Sequence, residues 1–360
     1  MVIKAGPRLQ VTTFDEQQAF TANHAWTQAG EPVDELLAQP FTSWQVELTD
    51  ETLRVQVTKR GEAIVSSSAA ERARPSELAH DRFKQRLVDV DAGYLQLLGV
   101  TTEAGKVRAD RRDKFHQVEE FVRALDPVVR NARADGRLPD DRPIRVVDLG
   151  CGNAYLTFAA YQHLSVTLGF DVEMVGVDLK VQARTHNESV AKSLGWSDHM
   201  RFVAGEISTT DVDGPVDVVV ALHACDTATD DALARAVRWG ASVVLSAPCC
   251  HHDLQRQLKT TRVVPRPYGL VTQHGILRER LTDVLTDSLR AAVMRQVGYR
   301  TDVIEFVDTA HTPRNVLLRA VRTGTPARPD VVSDYRLLID EWSVRPRLAV
   351  LLGLDRPTDS

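Results

Sequence analysis

Histidine, aspartate and cysteine side chains gather at two points of the sequence, each directly after a short apolar run. They are His223, Cys225, Asp226, Cys249, Cys250, His251 and His252. Side chains of these types move protons, attack as nucleophiles or bind soft metal ions. Titratable groups that share a cleft are candidates for function, so the elements that could bring these two points together need to be identified.

A glycine turn forms a third point of interest. The apolar run Val-Val-Asp-Leu leads directly into Gly150-Cys-Gly152. These glycines let the backbone approach a ligand closely, and the helix that follows would offer free N–H groups to a carboxylate. Asp148 would face the cationic end of the same ligand, and the methionine part of S-adenosylmethionine carries both charges. Asn153 and Ala154 stand where a third glycine is usual.

Two further apolar runs end in groups that suit the rest of this cofactor. Asp178 and Leu179 end one run, and an acidic residue at such a strand tip usually binds a ribose diol. Glu206 and Ile207 end the next run, where the edge and face of an adenine would lie. The expected cofactor contacts are Asp148, Gly150, Gly152, Asn153, Asp178, Leu179, Gly205, Glu206, Ile207, Leu222 and His223.

The elements that must position these residues alternate between strands and helices from residue 144 onward. Strands are predicted at 145–149, 173–178, 201–204, 216–222, 242–247, 302–306 and 315–321, with a long helix at 279–297. Continuous apolar strands between helices indicate a parallel sheet covered on both faces. The turn before the last strand is too short for a parallel crossover, so the last two strands must be antiparallel neighbours. We therefore predict an α/β, Rossmann-like class I methyltransferase sheet, mostly parallel with an antiparallel C-terminal hairpin, rather than a dehydrogenase sheet.

The remaining regions predict an N-terminal α+β region and a helical tail. Alternating polar and apolar residues indicate a β-hairpin at 42–58, and the polar segment 66–68 ends the N-terminal region. Apolar residues at three-to-four spacing predict helices at 77–98 and 114–129. The predicted organisation is a β-rich region 1–68, a helical recognition or capping region 69–138, the catalytic domain 139–323 and a tail 324–360 with short helices.

The two titratable segments also carry a resemblance. Ala-Leu-His223-Ala-Cys-Asp-Thr-Ala-Thr-Asp, followed by Ala-Pro-Cys-Cys-His251, resembles a family of class I methyltransferases known as methyltransferase domain 32. Segments 80–84, 113–118 and 311–315 match its bacterial subgroup, and the resemblance covers roughly residues 40 to 322. It implies methyl transfer from S-adenosylmethionine and leaves the substrate open. The family usually has Gly-Lys-Gly or a similar run where this chain has Asn153-Ala154.

Three chemistries remain open at the two titratable segments. In the first, His223, Asp226 and His251 position the acceptor and remove its proton, since methyl transfer needs mainly alignment and a deprotonated nucleophile. In the second, Cys249 or Cys250 is a covalent nucleophile, as in cytosine-C5 methylation. In the third, the cysteines and histidines bind Zn²⁺. Because the usual Cys-x₂-Cys spacing is missing, we assign no metal ligand from the sequence, and the catalytic candidates are His223, Asp226, Cys249 and His251.

RNA, either rRNA or tRNA, is the expected acceptor because two basic clusters, 82–86 and 106–114, precede the sheet. Arg82, Lys114, Arg314 and Asn315 are the candidate substrate contacts. The net-acidic N-terminal region favours the alternative that a protein or small molecule is methylated. A third possibility is a cofactor-binding or metal-binding module without turnover.

Composition and charge limit the class of protein. The 360 residues have a net charge of -5 with 26% charged residues, so RNA binding would need a local basic face. The four cysteines show no disulfide-scaffold spacing, and no apolar N-terminal leader or membrane-spanning run is present. We expect a cytoplasmic protein that acts without membrane attachment and needs no obligate protein partner.

Overall fold

A computed structural model of the chain forms two compact units, residues 1–85 and 86–360. It describes residues 8–14, 19–47, 51–58, 62–69, 87–261, 264–306 and 315–355. The sequence predicts boundaries after residues 68 and 138, whereas the segment 86–138 falls in the same unit as the large sheet.

The N-terminal unit is built from two small antiparallel sheets. Strands β1 and β2 pair with each other, and β3, β4 and β5 form a three-stranded sheet. The bounds are β1 Arg8–Phe14, β2 Ala19–Ala25, α1 Gly30–Leu37, β3 Ser43–Glu47, β4 Glu51–Val57 and β5 Ala63–Ala69. The predicted hairpin is confirmed as β3–β4, but the expected break at 66–68 is wrong. Ser66 and Ser67 lie in β5, an edge strand, because pairing with β4 satisfies their backbone while their side chains stay exposed.

The second unit is a seven-stranded sheet with helices on both faces. Its strands are β6 Ile144–Leu149, β7 Val172–Asp178, β8 Met200–Ala204, β9 Val218–Ala221, β10 Val243–Ser246, β11 Tyr299–Glu305 and β12 Val316–Arg322. Its helices are α2 Gly93–Leu97, α3 Arg112–Ala134, α4 Tyr155–Tyr161, α5 Val181–Ser193, α6 Thr227–Trp239, α7 His252–Thr261, α8 Gly269–Thr272, α9 Gly275–Gln296, α10 Pro329–Trp342 and α11 Arg347–Leu352.

The strand order confirms the predicted sheet. The order is β11-β12-β10-β9-β6-β7-β8, and β12 runs antiparallel to both of its neighbours while β6 to β10 pair in parallel. The chain leaves β6 toward β7 on one side and returns to β9 on the other. Open α/β sheets bind ligands beyond the carboxyl ends of the strands at such a reversal, so the tips of β6 and β9 mark the expected crevice.

Two apolar cores cover the two faces of this sheet. Val146 belongs to the core that includes α3 and α4, and its neighbour Val147 belongs to the core that includes α6 and α9. Successive side chains of a strand point to opposite faces, so a strand buried on both sides needs an unbroken apolar run. Helix α3 contributes eight buried residues, which makes the predicted helix at 114–129 a core element.

The predicted helix at 77–98 is wrong in the part that the structure describes. Only Gly93–Leu97 of residues 87–98 is helical. The side chain of Asp89 accepts a hydrogen bond from the Asp91 N–H at 3.0 Å, and the Ala92 N–H donates to the Asp89 carbonyl. This local turn competes with helix formation. None of the helices within the described ranges is long and apolar enough to cross a membrane.

Candidate active site

The glycine turn after β6 is held in place by its neighbours. Gly150 has a φ of +82°, and a Cβ there would lie 3.4 Å from the Ala224 backbone nitrogen in the loop after β9. The Asp178 carboxylate accepts the Gly152 N–H at 2.8 Å, and the buried Asn187 of α5 donates to the Gly152 carbonyl at 2.8 Å. The turn is therefore fixed before any ligand arrives. Asn187, a buried amide on α5, was not predicted from the sequence.

The missing third glycine is accommodated by strained backbone. Ala154 has a φ of 55° and a ψ of 22°, a left-handed conformation that usually costs a residue with a side chain about 1–2 kcal/mol. It directly precedes α4, and the side chain of Asn153 is exposed at the surface of the turn. The turn thus keeps the course of a glycine-rich loop although one position carries a methyl group.

Asp148 lies buried beneath the turn. The Thr157 hydroxyl of α4 donates to its carboxyl at 2.5 Å. Burial raises the pKa of Asp148 to about 7, and the nearby charge of Asp178 adds to this rise. Within the described part of the chain no cation forms a salt bridge with it. A ligand ammonium would favour the ionised carboxylate, which agrees with the predicted role of Asp148.

The tip of β7 presents the second acidic residue. Asp178 is half-buried, and its two carboxylate oxygens accept the N–H groups of Gly152 and Lys180. The side chain of Leu179 is 68% exposed, so an apolar surface stands beside the carboxylate. The remaining lone pairs of Asp178 can accept hydrogen bonds from a ribose diol.

The tip of β8 carries the residues predicted to contact an adenine. A Cβ at Gly205 would collide with the hydroxyl of Thr210, which itself donates to the Glu206 carbonyl at 2.7 Å. Gly205 is therefore required by the packing of its own turn. Glu206 is exposed and Ile207 is half-buried, and their contacts with a cofactor stay a prediction.

Lys114 lies near the start of α3, and its charge acts on His223 in the loop after β9. The Lys114 ammonium lies 5.0 Å from the centroid of the Tyr155 ring, a cation–π contact, and donates to Gln117. His223 keeps contact with solvent, but the surrounding atoms and then the Lys114 charge lower the pKa of its imidazole. Leu222 is buried beside it. A lowered pKa favours the neutral form of this imidazole.

Asp226 has structural partners for its side chain. Its carboxylate accepts the Asp253 N–H at 2.9 Å near the start of α7 and a hydrogen bond from Arg256 at 3.3 Å. Its φ of 54° is unusual for a residue with a side chain. These contacts hold two loops together, and the proton-accepting role expected for Asp226 stays a prediction.

His251 is 2% exposed and faces helix α9. Its Nε2 lies 2.9 and 3.0 Å from the two carboxylate oxygens of Asp287. Arg290 binds both Asp287 and Asp230, so the histidine belongs to a buried charge network. This network was not predicted from the sequence, where its signal is Asp287 and Arg290, two opposite charges spaced three residues apart on α9. The catalytic role expected for His251 stays a prediction.

The cysteines after β9 and β10 form one cluster. The Sγ atoms of Cys225 and Cys249 are 2.7 Å apart, and those of Cys249 and Cys250 are 3.8 Å apart. Burial and the neighbouring thiols raise the pKa of Cys249. A nucleophilic cysteine needs a lowered pKa, so this environment does not favour covalent attack by Cys249.

The candidate substrate contacts near the ends of the chain are only partly visible. Arg82 and Arg314 lie outside the described residues, as do segments 80–84 and 311–314. Asn315 donates to the Glu305 carboxylate at 2.8 Å, and its carbonyl accepts the Phe306 N–H. Asn315 thus links β11 to β12 at the base of their hairpin.

Comparison with known proteins supports the enzyme class. Residues 113–257 match a family model described as a methyltransferase domain, and this range includes the glycine turn and both titratable segments. No curated protein sequence matches the chain significantly.

Solved structures of methyltransferases are similar to the chain. The ribosomal protein L11 methylase from Lactobacillus delbrueckii subsp. bulgaricus is 15% identical, over 55% of this chain and 76% of its own, with a TM-score of 0.33. An SAH-bound Podospora anserina methyltransferase is 14% identical, over 65% and 88%, with a TM-score of 0.37. The geranyl diphosphate C-methyltransferase from Streptomyces coelicolor A3(2) is 14% identical, over 51% and 73%, with a TM-score of 0.31.

The residues that match the methyltransferase domain include strands β6 to β10 of the seven-stranded sheet. The domain match and the observed strand order confirm the predicted enzyme class and cofactor, a methyltransferase that uses S-adenosylmethionine.

Proposed function

We propose that the methyl acceptor of this enzyme is RNA. The observation that carries the proposal is the position of Lys114, whose charge acts on His223 at the crevice. Lys114 ends a basic segment that begins at Lys106. A cation next to the reacting groups and continuous with further cations can hold a phosphate close to the transferred methyl group.

The basic segment is largely open to solvent. Lys106, Arg108, Arg111 and Arg112 are exposed, while Lys114 is half-buried. Arg111 lies 3.6 Å from Asp110, an exposed pair that contributes little and can be exchanged for a phosphate contact. Such a face suits binding of a nucleic acid backbone even though the whole chain is acidic.

The residues of the crevice fit S-adenosylmethionine. The raised pKa of the buried Asp148 shows that it lacks a cationic partner among the described residues, which a ligand ammonium group would supply. The oxygens of Asp178 can accept hydrogen bonds from a diol. Glycine at position 150 keeps the backbone close to the loop after β9. When bound, this cofactor supplies a methyl group on a positively charged sulfur, which a nucleophile can displace directly.

His223 then has the role of proton acceptor. Because its pKa is lowered, the imidazole is neutral at neutral pH and can take a proton from an acceptor N–H or O–H group. Lys114 holds the acceptor and also keeps the imidazole neutral. The remaining contribution is alignment, which the fixed glycine turn provides.

The test is transfer of a radiolabelled methyl group from S-adenosylmethionine into an extract of cells that lack this gene. We expect label that RNase removes. Label that survives RNase and is lost to protease, or is found only in small molecules, would contradict the RNA proposal while leaving the enzyme class intact. The Asp178→Ala variant is the control for transfer that depends on cofactor binding.

A charge series sharpens the same test. Changing Lys106, Arg108 and Arg112 to Gln should raise the KM for RNA and weaken its dependence on salt, with cofactor affinity unchanged. The matched control changes three exposed cations elsewhere, Lys192, Arg280 and Arg300. Equal effects of the two triple variants would contradict a role for the basic segment.

A protein or small-molecule acceptor is the second candidate. The net charge of -5 favours it, because binding to phosphates usually requires a denser basic surface. The protease and small-molecule fractions of the labelling experiment test it directly.

A further inference from the structure

Three cysteines from two different strand tips meet in the second unit. Cys225 follows β9, while Cys249 and Cys250 follow β10, and their Sγ atoms all lie within 4.8 Å of one another. Cys225 is exposed and the other two are half-buried. Three converging thiols that reach solvent form a ligand set for a soft metal ion.

We propose that Cys225, Cys249 and Cys250 bind Zn²⁺ through their sulfur atoms. Zinc bound to cysteine has Zn–S distances of about 2.3 Å, so tetrahedral geometry separates two ligand sulfurs by about 3.8 Å. The separation of Cys249 and Cys250 is 3.8 Å. The 2.7 Å between Cys225 and Cys249 must lengthen by about 1 Å, which rotation of the exposed Cys225 side chain can supply.

The histidines of the same segment are not part of this ligand set. His251 is buried against α9, where its Nε2 contacts Asp287 and its Nδ1 lies 3.4 Å from the Asp283 carboxylate. The sequence suggested cysteines and histidines together as zinc ligands. The structure instead joins the adjacent pair after β10 to Cys225, which lies 24 residues earlier in the chain.

The proposed site adjoins the cofactor crevice. Cys225 is separated from His223 by Ala224 alone, and the backbone of Ala224 packs against Gly150 of the glycine turn. Three protein ligands leave a fourth tetrahedral position, as in zinc sites that bind water or substrate.

Loading of the site is a simple exchange. Up to three S–H protons go to solvent while three Zn–S bonds form, and no oxidant or reductant is required. The product carries a net charge of -1 because three thiolates surround a divalent ion. This inference holds for any methyl acceptor, since metal binding is measured without methyl transfer.

The experiment measures the metal content of the full chain purified without chelator under reducing conditions. We expect one zinc ion per chain by mass spectrometry of the element, and loss of zinc in each of Cys225→Ser, Cys249→Ser and Cys250→Ser. Cys151→Ala is the matched control, because this buried cysteine of the glycine turn is outside the cluster. It should retain the full zinc content.

Cobalt replacement tests the ligands by a second readout. Co²⁺ added to the metal-free chain should give a thiolate-to-metal charge-transfer band and intense tetrahedral d–d bands. Each Ser variant should have a weaker charge-transfer band. A folded wild-type chain that takes up neither Zn²⁺ nor Co²⁺ would overturn the proposal. So would a Cys225–Cys249 disulfide that persists under these conditions, or zinc content that does not change in the three Ser variants.

Discussion

The polar residues are arranged differently in the two halves of the crevice. The cofactor half comprises the tips of β6, β7 and β8, where Asp178 accepts the Gly152 N–H of the glycine turn and its charge raises the pKa of the buried Asp148 further. The acceptor half comprises the tips of β9 and β10. Its polar residues separate into an exposed thiol cluster, a histidine at the crevice and a buried charge network. The cofactor half is held in place by hydrogen bonds to backbone amides. In the acceptor half, some charged side chains are buried in the core and others lie at the surface.

The largest expected effect tests whether the buried charge network stabilises the folded chain. Arg290 is 3% exposed and binds Asp230 and Asp287. The Arg290→Leu variant leaves two buried carboxylates without their cation, so we expect the free energy of unfolding to fall by about 3–5 kcal/mol in urea. Cofactor affinity of the folded protein should change little, because the cofactor half does not contact Arg290.

The matched control is a surface arginine of the same half. The Arg256 side chain is 60% exposed and bridges Asp226 and Asp253. Because exposed pairs contribute less than about 1 kcal/mol, Arg256→Leu should unfold nearly as the parent does. If the two variants lose similar stability, the buried ion pairs of Arg290 contribute no more to stability than the exposed ion pairs of Arg256.

The second prediction concerns the stability that the chain loses by burying the carboxyl group of Asp148 in the cofactor half. The pKa of Asp148 is about 7 in the folded chain and near 3.8 when unperturbed. Above pH 7 the folded state must bury an ionised carboxylate, whereas at about pH 4 the folded carboxyl is protonated and the unfolded one is only about half ionised. Asp148→Asn should therefore raise the free energy of unfolding by roughly 2–4 kcal/mol at pH 8 and by almost nothing at pH 4.

The same substitution should weaken cofactor binding. Asn keeps an acceptor for the Thr157 hydroxyl but cannot ionise opposite an ammonium group. Urea unfolding at both pH values and calorimetric titration with S-adenosylhomocysteine check the two effects. Stability that rises equally at pH 4 and pH 8 would show that the gain comes from packing and not from the charge.

The cofactor half was the more predictable of the two from sequence. Strand tips can be placed from apolar runs, and the short side chains of Asp148, Asp178 and the glycines have little choice of direction once the strand is placed. In the acceptor half, the position of His251 after β10 follows from the apolar run, but the direction of its side chain does not. That direction depends on Asp287 and Arg290, which lie about 36 residues further along the chain.

Small-scale features also escaped prediction for physical reasons. The left-handed backbone of Ala154 follows from the packing of the turn and leaves no periodic signal. The serines of β5 were assigned to a break because polar composition indicates a turn, whereas strand pairing with β4 decides the outcome. In β5, strand pairing therefore overrides local composition.

The third prediction returns to the cofactor half. The Asp178→Ala variant loses the acceptor of the Gly152 N–H and the group expected to bind the ribose. We expect the dissociation constant for S-adenosylhomocysteine to rise tenfold or more, about 1.4 kcal/mol. Lys180→Ala is the control, since Lys180 contacts Asp178 only through its backbone N–H, which the alanine keeps. Unchanged affinity of Asp178→Ala in calorimetry would reject the assignment.

The smallest expected effect is a shift in a pH profile, and it joins the two halves. His223→Ala should lower turnover while leaving cofactor affinity nearly intact. Lys114 lowers the pKa of His223, so Lys114→Gln should raise that pKa and move the acid limb of kcat to higher pH by less than about one unit. An unshifted limb in Lys114→Gln, or a full rate in His223→Ala, would remove His223 as proton acceptor. Comparing kcat with KM across the pH series separates this electrostatic effect from any loss of acceptor binding, which would raise KM alone.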